Sequence, residues 1–176
     1  MKKSFLSGIS IRTLFLLGLI VLSLRSFGAP KQQYYEIRIY QIADKSQEEK
    51  VDAFLKDAYI PALHRAGITK VGVFKPVETD TASYGKLVYV FIPFKTLEDY
   101  ANLPGTLAKD QVYAQAGKSF IDAPFDNPPY SRLQTIILKA FMNMPQFAAP
   151  DYKNPVSERI YELRSYESST EAKAAK

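Results

Sequence analysis

The stretch Tyr34-Tyr35-Glu36-Ile37-Arg38-Ile39-Tyr40-Gln41 returns near the end of the chain as Ile160-Tyr161-Glu162-Leu163-Arg164-Ser165-Tyr166-Glu167. Tyr35, Glu36, Arg38 and Tyr40 recur unchanged at one constant offset, and Ile37 recurs as the similar Leu163. One such octapeptide is an ordinary alternating strand, but two in register, each followed by helix-start residues, mark an internal repeat. The helix starts are the capping-box sequences Ser46-Gln47-Glu48-Glu49 and Ser168-Ser169-Thr170-Glu171. The chain therefore reads as one complete unit over 34–142, a linker over 143–157, and the opening of a second unit over 158–176. On this reading the second unit is truncated and its partner fold is incomplete.

Within the first unit, Val51, Phe54, Leu55, Ala58 and Ala62 form one apolar helical stripe, which Pro61 should kink and Gly67 should end. Residues 68–77 and 86–94 are β-branched and aromatic runs around a polar loop, a hairpin in which Pro93 marks a strand end or a sheet edge. Thr96 opens a second helix that Pro104-Gly105 should interrupt, and 106–121 resumes a helical pattern. Residues 130–142 form a last strand. The order strand, helix, strand, strand, helix, strand is the ferredoxin-like βαββαβ unit, an α+β fold with helices on one face of an antiparallel sheet. Its other face needs a partner, and a second copy of the same unit is the economical one.

With 47% hydrophobic residues the 176-residue chain is globular, and it has no cysteine, so its core must hold it without disulfides. The formal charge of +5 comes largely from Lys2, Lys3, Arg12 and Arg25. Beyond residue 28 the charges nearly balance, which removes the electrostatic case for nucleic-acid binding. Residues 1–28 read as a secretory signal: a basic start, the apolar run from Thr13 to Leu24, and Ser26-Phe27-Gly28 before Ala29, with cleavage after Gly28. The apolar run is shorter than the roughly 20 residues of a spanning helix. Cleavage leaves no stable membrane anchor and implies a secreted or periplasmic protein.

Chemistry-bearing constellations are sparse. The single histidine, His64, falls opposite the apolar stripe, which makes a solvated position its default, although a kink at Pro61 could turn it inward. No metal site and no cofactor are expected from so few nitrogen and sulfur ligands. Strand alternation, with Ile37 and Ile39 placed under the helices, sends Glu36, Arg38 and Tyr40 to the other sheet face. There they would form either a structural ion pair at a domain interface or a polar pocket in which Arg38 holds an anionic or carbonyl group. Tyr89, in the middle of the third strand, could reach the same face.

Several pieces in order resemble the NIPSNAP family of the dimeric α/β-barrel superfamily. They are Tyr35-Glu36-Ile37-Arg38-Ile39-Tyr40, Ala66-Gly67-Ile68 running into Val71-Gly72-Val73-Phe74, Ala123-Pro124 followed by Pro128-Pro129-Tyr130-Ser131-Arg132, then Ala140-Phe141 and Met144-Pro145. The resemblance covers about 34–147 and again 158–176, and is greatest to secreted bacterial members with tandem domains. It implies the ferredoxin-like fold and a barrel completed by a homodimer or by a second domain, but no established reaction. Two functions stay open: a binding or structural module of the cell envelope, or a small-molecule enzyme resembling the cofactor-independent monooxygenases and isomerases of the same fold. A cavity holding Arg38 and Tyr40 favours the enzyme, and a closed core favours the module.

Overall fold

The computed structural model describes residues 31–174, with side-chain burial for 31–172; the proposed signal over 1–28 lies outside the described residues. β1 (Tyr34–Gln41) is followed by α1 (Lys45–Phe54), a π-helical turn (Leu55–Tyr59) and α2 (Ile60–Arg65). β2 (Gly72–Phe74) and β3 (Leu87–Phe94) form the hairpin, and α3 (Leu97–Leu107), α4 (Gln111–Ala116) and α5 (Lys118–Ile121) lead to β4 (Arg132–Lys139). The described chain ends with a 3-10 turn (Val156–Glu158) and α6 (Glu171–Ala174). The sheet is antiparallel throughout, in the order β2-β3-β1-β4, so the repeated strand occupies a central position. This order with these connections is the ferredoxin-like α+β unit expected from the sequence.

Val51, Phe54, Leu55, Ala58 and Ala62 are all buried, as their spacing requires, against Val88, Val90, Ile92 and Phe94 of β3. In place of a break at Pro61, the helix carries a π turn just before it, where Ile60 N–H reaches back to Leu55 O. Pro61 then falls in the first turn of α2, directly after the π turn. Gly67, at φ 86°, ends the helix: its N–H donates to His64 O, and Ile68 N–H donates to Leu63 O.

Several boundaries differ from the sequence reading. The first helix is capped by Asp44 rather than Ser46; the Asp44 carboxylate accepts from Gln47 N–H at 2.9 Å. The choice follows from Gln47, which is buried at the third helical position. Its amide oxygen accepts from Ala43 N–H at 2.8 Å and its amide nitrogen donates to Pro128 O at 3.1 Å, fastening the loop before β4. Pro104 does not interrupt α3, because Leu103 and Leu107 are both buried and hold the turn against the core. The break comes at Asp110, whose carboxylate accepts from Tyr113 N–H at 2.9 Å and caps α4. Thr96 caps α3 as expected, with Asp99 completing a capping box. Of residues 68–77 only Gly72–Phe74 pair with β3. Pro93 lies inside β3, paired with Tyr35. Lys86 O accepts from Ile42 N–H, so even-numbered backbone groups of β3 face β1 and odd-numbered ones face β2. The donor that Pro93 lacks therefore points past the end of the short β2, where no ladder bond is lost.

The main correction concerns the two faces of β1. Glu36, Arg38 and Tyr40 stand opposite Ile92, Val90 and Val88 of β3, which are buried under the helices, so these three residues share the helix-covered face. Ile37 and Ile39 stand opposite Phe91 and Tyr89 of β3 and opposite Ile136 and Gln134 of β4, on the other face. The assignment of polar residues to the far face is reversed because the two charges neutralise each other locally, and Arg38 then covers an aromatic ring of the helix layer.

Candidate functional site

β1 places Glu36 and Arg38 two residues apart on one face, and the strand repeat brings their side chains together: Arg38 Nε donates to Glu36 Oε1 at 2.6 Å. Glu36 is 1% exposed and the Arg38 side chain 24%, so the carboxylate is sealed while the guanidinium reaches the margin. The margin lies above β4, where Thr135, opposite Arg38, and Ile137, opposite Glu36, are both exposed. The Arg38 guanidinium carbon sits 4.9 Å from the centre of the Tyr59 ring, a cation–π contact that is stronger for being partly desolvated. Tyr59 is positioned by the π turn, which adds a residue to the helical repeat and turns the ring toward the sheet.

An aromatic cluster encloses the pair. Phe54 stacks on Phe120 at 3.9 Å and on Tyr59 at 5.6 Å, while Tyr40 meets Phe120 edge-on at 6.1 Å and Tyr130 at 5.5 Å. Burial raises the pKa of Tyr59 above the ordinary tyrosine value, more strongly than Arg38 lowers it, and the same balance holds for Tyr40. These phenols stay protonated at neutral pH and cannot serve as bases there. Burial opposes the charge on Arg38, but Tyr59, Glu36 and Tyr40 together outweigh it and raise the pKa of the guanidinium. Among the described residues, Glu36 Oε2 and Tyr59 Oη are buried without a hydrogen-bond partner in the protein, and both belong to this cluster.

The remaining candidates lie elsewhere. Tyr89 is on the opposite sheet face, paired with Ile39 and Phe74. His64 is exposed near the end of α2, the solvated position that the stripe implied. Tyr59, which the sequence reading did not single out, is the missing member of the polar group. Its signal was its spacing from Phe54 and Ala58 on the helix, which reads simply as core. Two half-open grooves, of about 460 and 500 Å³, flank the domain, and neither is lined by Glu36, Arg38, Tyr40 or Tyr59. Among the described residues, no group of three or more His, Asp or Glu comes together as a metal site, and no helix is long and apolar enough to cross a membrane.

The second face of the sheet carries Tyr35, Ile37, Ile39, Tyr89, Phe91 and Ile136, and no described helix packs on it. Segments following β4 touch its β2–β3 side, with Phe147 on Phe91 at 5.0 Å and Tyr161 on Phe74 at 5.0 Å. The repeat of β1 reproduces the ion pair as well as the letters: Arg164 Nη2 donates to Glu162 at 2.7 Å, but here both side chains are well exposed.

Sheet order and helix placement thus define a ferredoxin-like α+β protein. Solved structures similar to it include NIPSNAP family proteins. One, a nipsnap family protein from Agrobacterium tumefaciens, has 17% identity and a TM-score of 0.46 over 61% of this chain and 87% of its own. A second Agrobacterium tumefaciens member has 20% identity and a TM-score of 0.45 over 61% and 91%. A NIPSNAP-like domain protein from Burkholderia xenovorans has 17% identity and a TM-score of 0.46 over 70% and 90%. A Bacteroides fragilis protein described as dimeric, with a ferredoxin-like fold, has 15% identity and a TM-score of 0.41 over 62% and 96%. No protein-family model and no curated protein matches the sequence.

Proposed function

We propose that the chain is an exported NIPSNAP-like binding or structural module of the cell envelope, assembled through the sheet face that carries Ile37, Ile39 and Phe91. The observation that carries this reading is the division of the two faces. On the polar face Glu36, Arg38 and Tyr40 lie under helices with the two charges spent on each other, and the apolar face has no described helix of its own. A second copy of the unit, whose sheet packs face to face about 10 Å away, is the partner that matches this surface in size and chemistry. The same surface would accept a second unit continuing from residues 158–176. Export rests on the basic, apolar and small-residue pattern of residues 1–28.

The test is production of the whole chain in a bacterium with an outer membrane, followed by fractionation and intact-mass measurement. Mature protein beginning at Ala29 in the envelope fraction is expected, and a cytoplasmic product retaining residues 1–28 would remove the export claim.

A second reading, small-molecule binding between sheet and helices, is favoured by the two unpartnered buried atoms, Glu36 Oε2 and Tyr59 Oη. It requires a compact ligand that donates to Glu36 and meets the Tyr59 hydroxyl beside Arg38, entering above β4. A thermal-shift screen of small carboxylic acids, amides and hydroxy-ketones distinguishes the two readings. A hit abolished by Tyr59→Phe would favour the ligand site, and the absence of any hit leaves the closed core as the simpler account.

A further inference from the structure

The segment after β4 does not leave the domain. Pro145 O accepts from Gln33 N–H at 2.8 Å and Phe147 N–H donates to the Gln33 side chain at 2.7 Å, which aims the chain back across the sheet beside the start of β1. Phe147 then lands on Phe91 of the central strand β3, and Tyr161 lands on Phe74 at the β2 edge. Between these two anchors Arg159 gathers the segment into one piece, donating to Tyr152 O at 2.9 Å and to Asn154 O at 2.6 Å. Both anchors stand on the face assigned above to assembly.

The contact is loose. Residues 160–167 repeat the strand β1 but form no ladder with the sheet. Val156 is 75% exposed and Ile160 80%, and a half-open groove of about 500 Å³ separates the segment from β2 and β3. A well-packed interface leaves no such space.

We propose that residues 147–166 are a displaceable strap that competes with a second copy of the chain for the sheet face. The proposal rests on the assembly reading given above. Two sheets packed face to face interdigitate their side chains across about 10 Å, and that space cannot also hold a run of backbone lying on Phe91. The strap must swing off the face before a second sheet can close on it, so its grip sets the dimer affinity. An aromatic contact of this kind is worth about two- to tenfold in an equilibrium, so two anchors are worth about four- to a hundredfold in each protomer, and because both protomers must open, the dimer is held back by at least about tenfold.

The test uses residues 29–176 and sedimentation velocity across a concentration series. Phe147→Ala/Tyr161→Ala is expected to lower the dimer dissociation constant by at least about tenfold. Phe147 is half-buried and Tyr161 exposed, and neither belongs to the core under the helices, so the fold is retained. In the cysteine-free chain, Phe74→Cys/Tyr161→Cys joined by a short bismaleimide is expected to weaken the dimer relative to the same variant left unlinked. An unchanged or raised dissociation constant in the double-alanine variant overturns the strap and makes the segment neutral or part of the interface. Ile39→Glu separates the two claims. If it abolishes the dimer while the strap variants leave the dissociation constant unchanged, assembly through this face stands and the strap alone is wrong. If no form associates, both are wrong.

Discussion

Replacing Arg38 by Met removes the only ionic partner that the Glu36 carboxylate, 1% exposed, has among the described residues, and leaves a buried charge with none of them to balance it. Breaking a buried pair from one side costs about 3–5 kcal/mol. Arg38 is 24% exposed, so the pair is not fully desolvated and the lower end, about 3 kcal/mol, applies. The reciprocal change, Glu36→Gln, leaves a guanidinium that already reaches solvent above Thr135 and still lies on the Tyr59 ring, so its cost is about 1–2 kcal/mol. The double variant carries neither charge and is expected to cost only about 1–2 kcal/mol, giving a coupling of about 3 kcal/mol in the cycle. Urea unfolding of the four proteins at one fixed concentration measures this, the fixed concentration being necessary because association adds to apparent stability. Equal costs for the two single changes, or a loss under 1 kcal/mol for Arg38→Met, would refute the claim that the carboxylate is sealed and the guanidinium marginal.

Three further substitutions or conditions probe the same structure. Gly67→Ala places a side chain at φ 86° and is expected to cost about 1 kcal/mol through backbone strain alone, since a Cβ there meets nothing within 4 Å; a neutral result in urea unfolding would show that the helix end re-forms elsewhere. Asp44→Ala removes the cap of α1 and is expected to cost about 1 kcal/mol, while Ser46→Ala should be silent; the reverse order would restore Ser46 as the cap. Glu48 is held below the ordinary carboxylate pKa by hydrogen bonds from Lys45 and Lys75, and Asp110 by the Tyr113 backbone N–H and then Arg65. A depressed folded-state pKa stabilises the fold above the unfolded value and is lost as pH falls through the folded one. The urea midpoint should therefore hold from pH 7 to 5 and drop below about pH 4, and a midpoint that rises on acidification would contradict these two sites.

The architecture was legible because its signals were local and concordant. The Val51, Phe54, Leu55, Ala58, Ala62 stripe, the Gly67 stop, the Thr96 cap and the alternation of 87–94 each carry one physical meaning. The faces of β1 were not legible, because alternation separates two sets of residues without saying which set meets the helices. Polarity, the usual guide, pointed the wrong way: an ion pair with a cation–π contact can be buried where an isolated charge cannot. Register with β3 decides the matter, and register is a long-range property. Two overlapping cap sequences, beginning at Asp44 and at Ser46, compete locally, and Gln47 reaching Pro128, far along the chain, favours Asp44. Pro104 was misread because the anchoring of Leu103 and Leu107 is tertiary. Tyr59 was unreadable as a site residue because a buried aromatic on a helix looks the same whether or not a guanidinium lies on it.

The most direct test of assembly through the sheet face is light scattering of the mature chain beside two variants that differ only in which face they mark. Ile39→Glu puts a charge on the proposed interface, whereas Thr135→Glu puts one on the exposed, helix-side surface of β4 beside Arg38. The account predicts twice the chain mass for the wild type and for Thr135→Glu, and the monomer mass for Ile39→Glu. A dimer that survives Ile39→Glu, or dissociates only with Thr135→Glu, would place the interface elsewhere and contradict it.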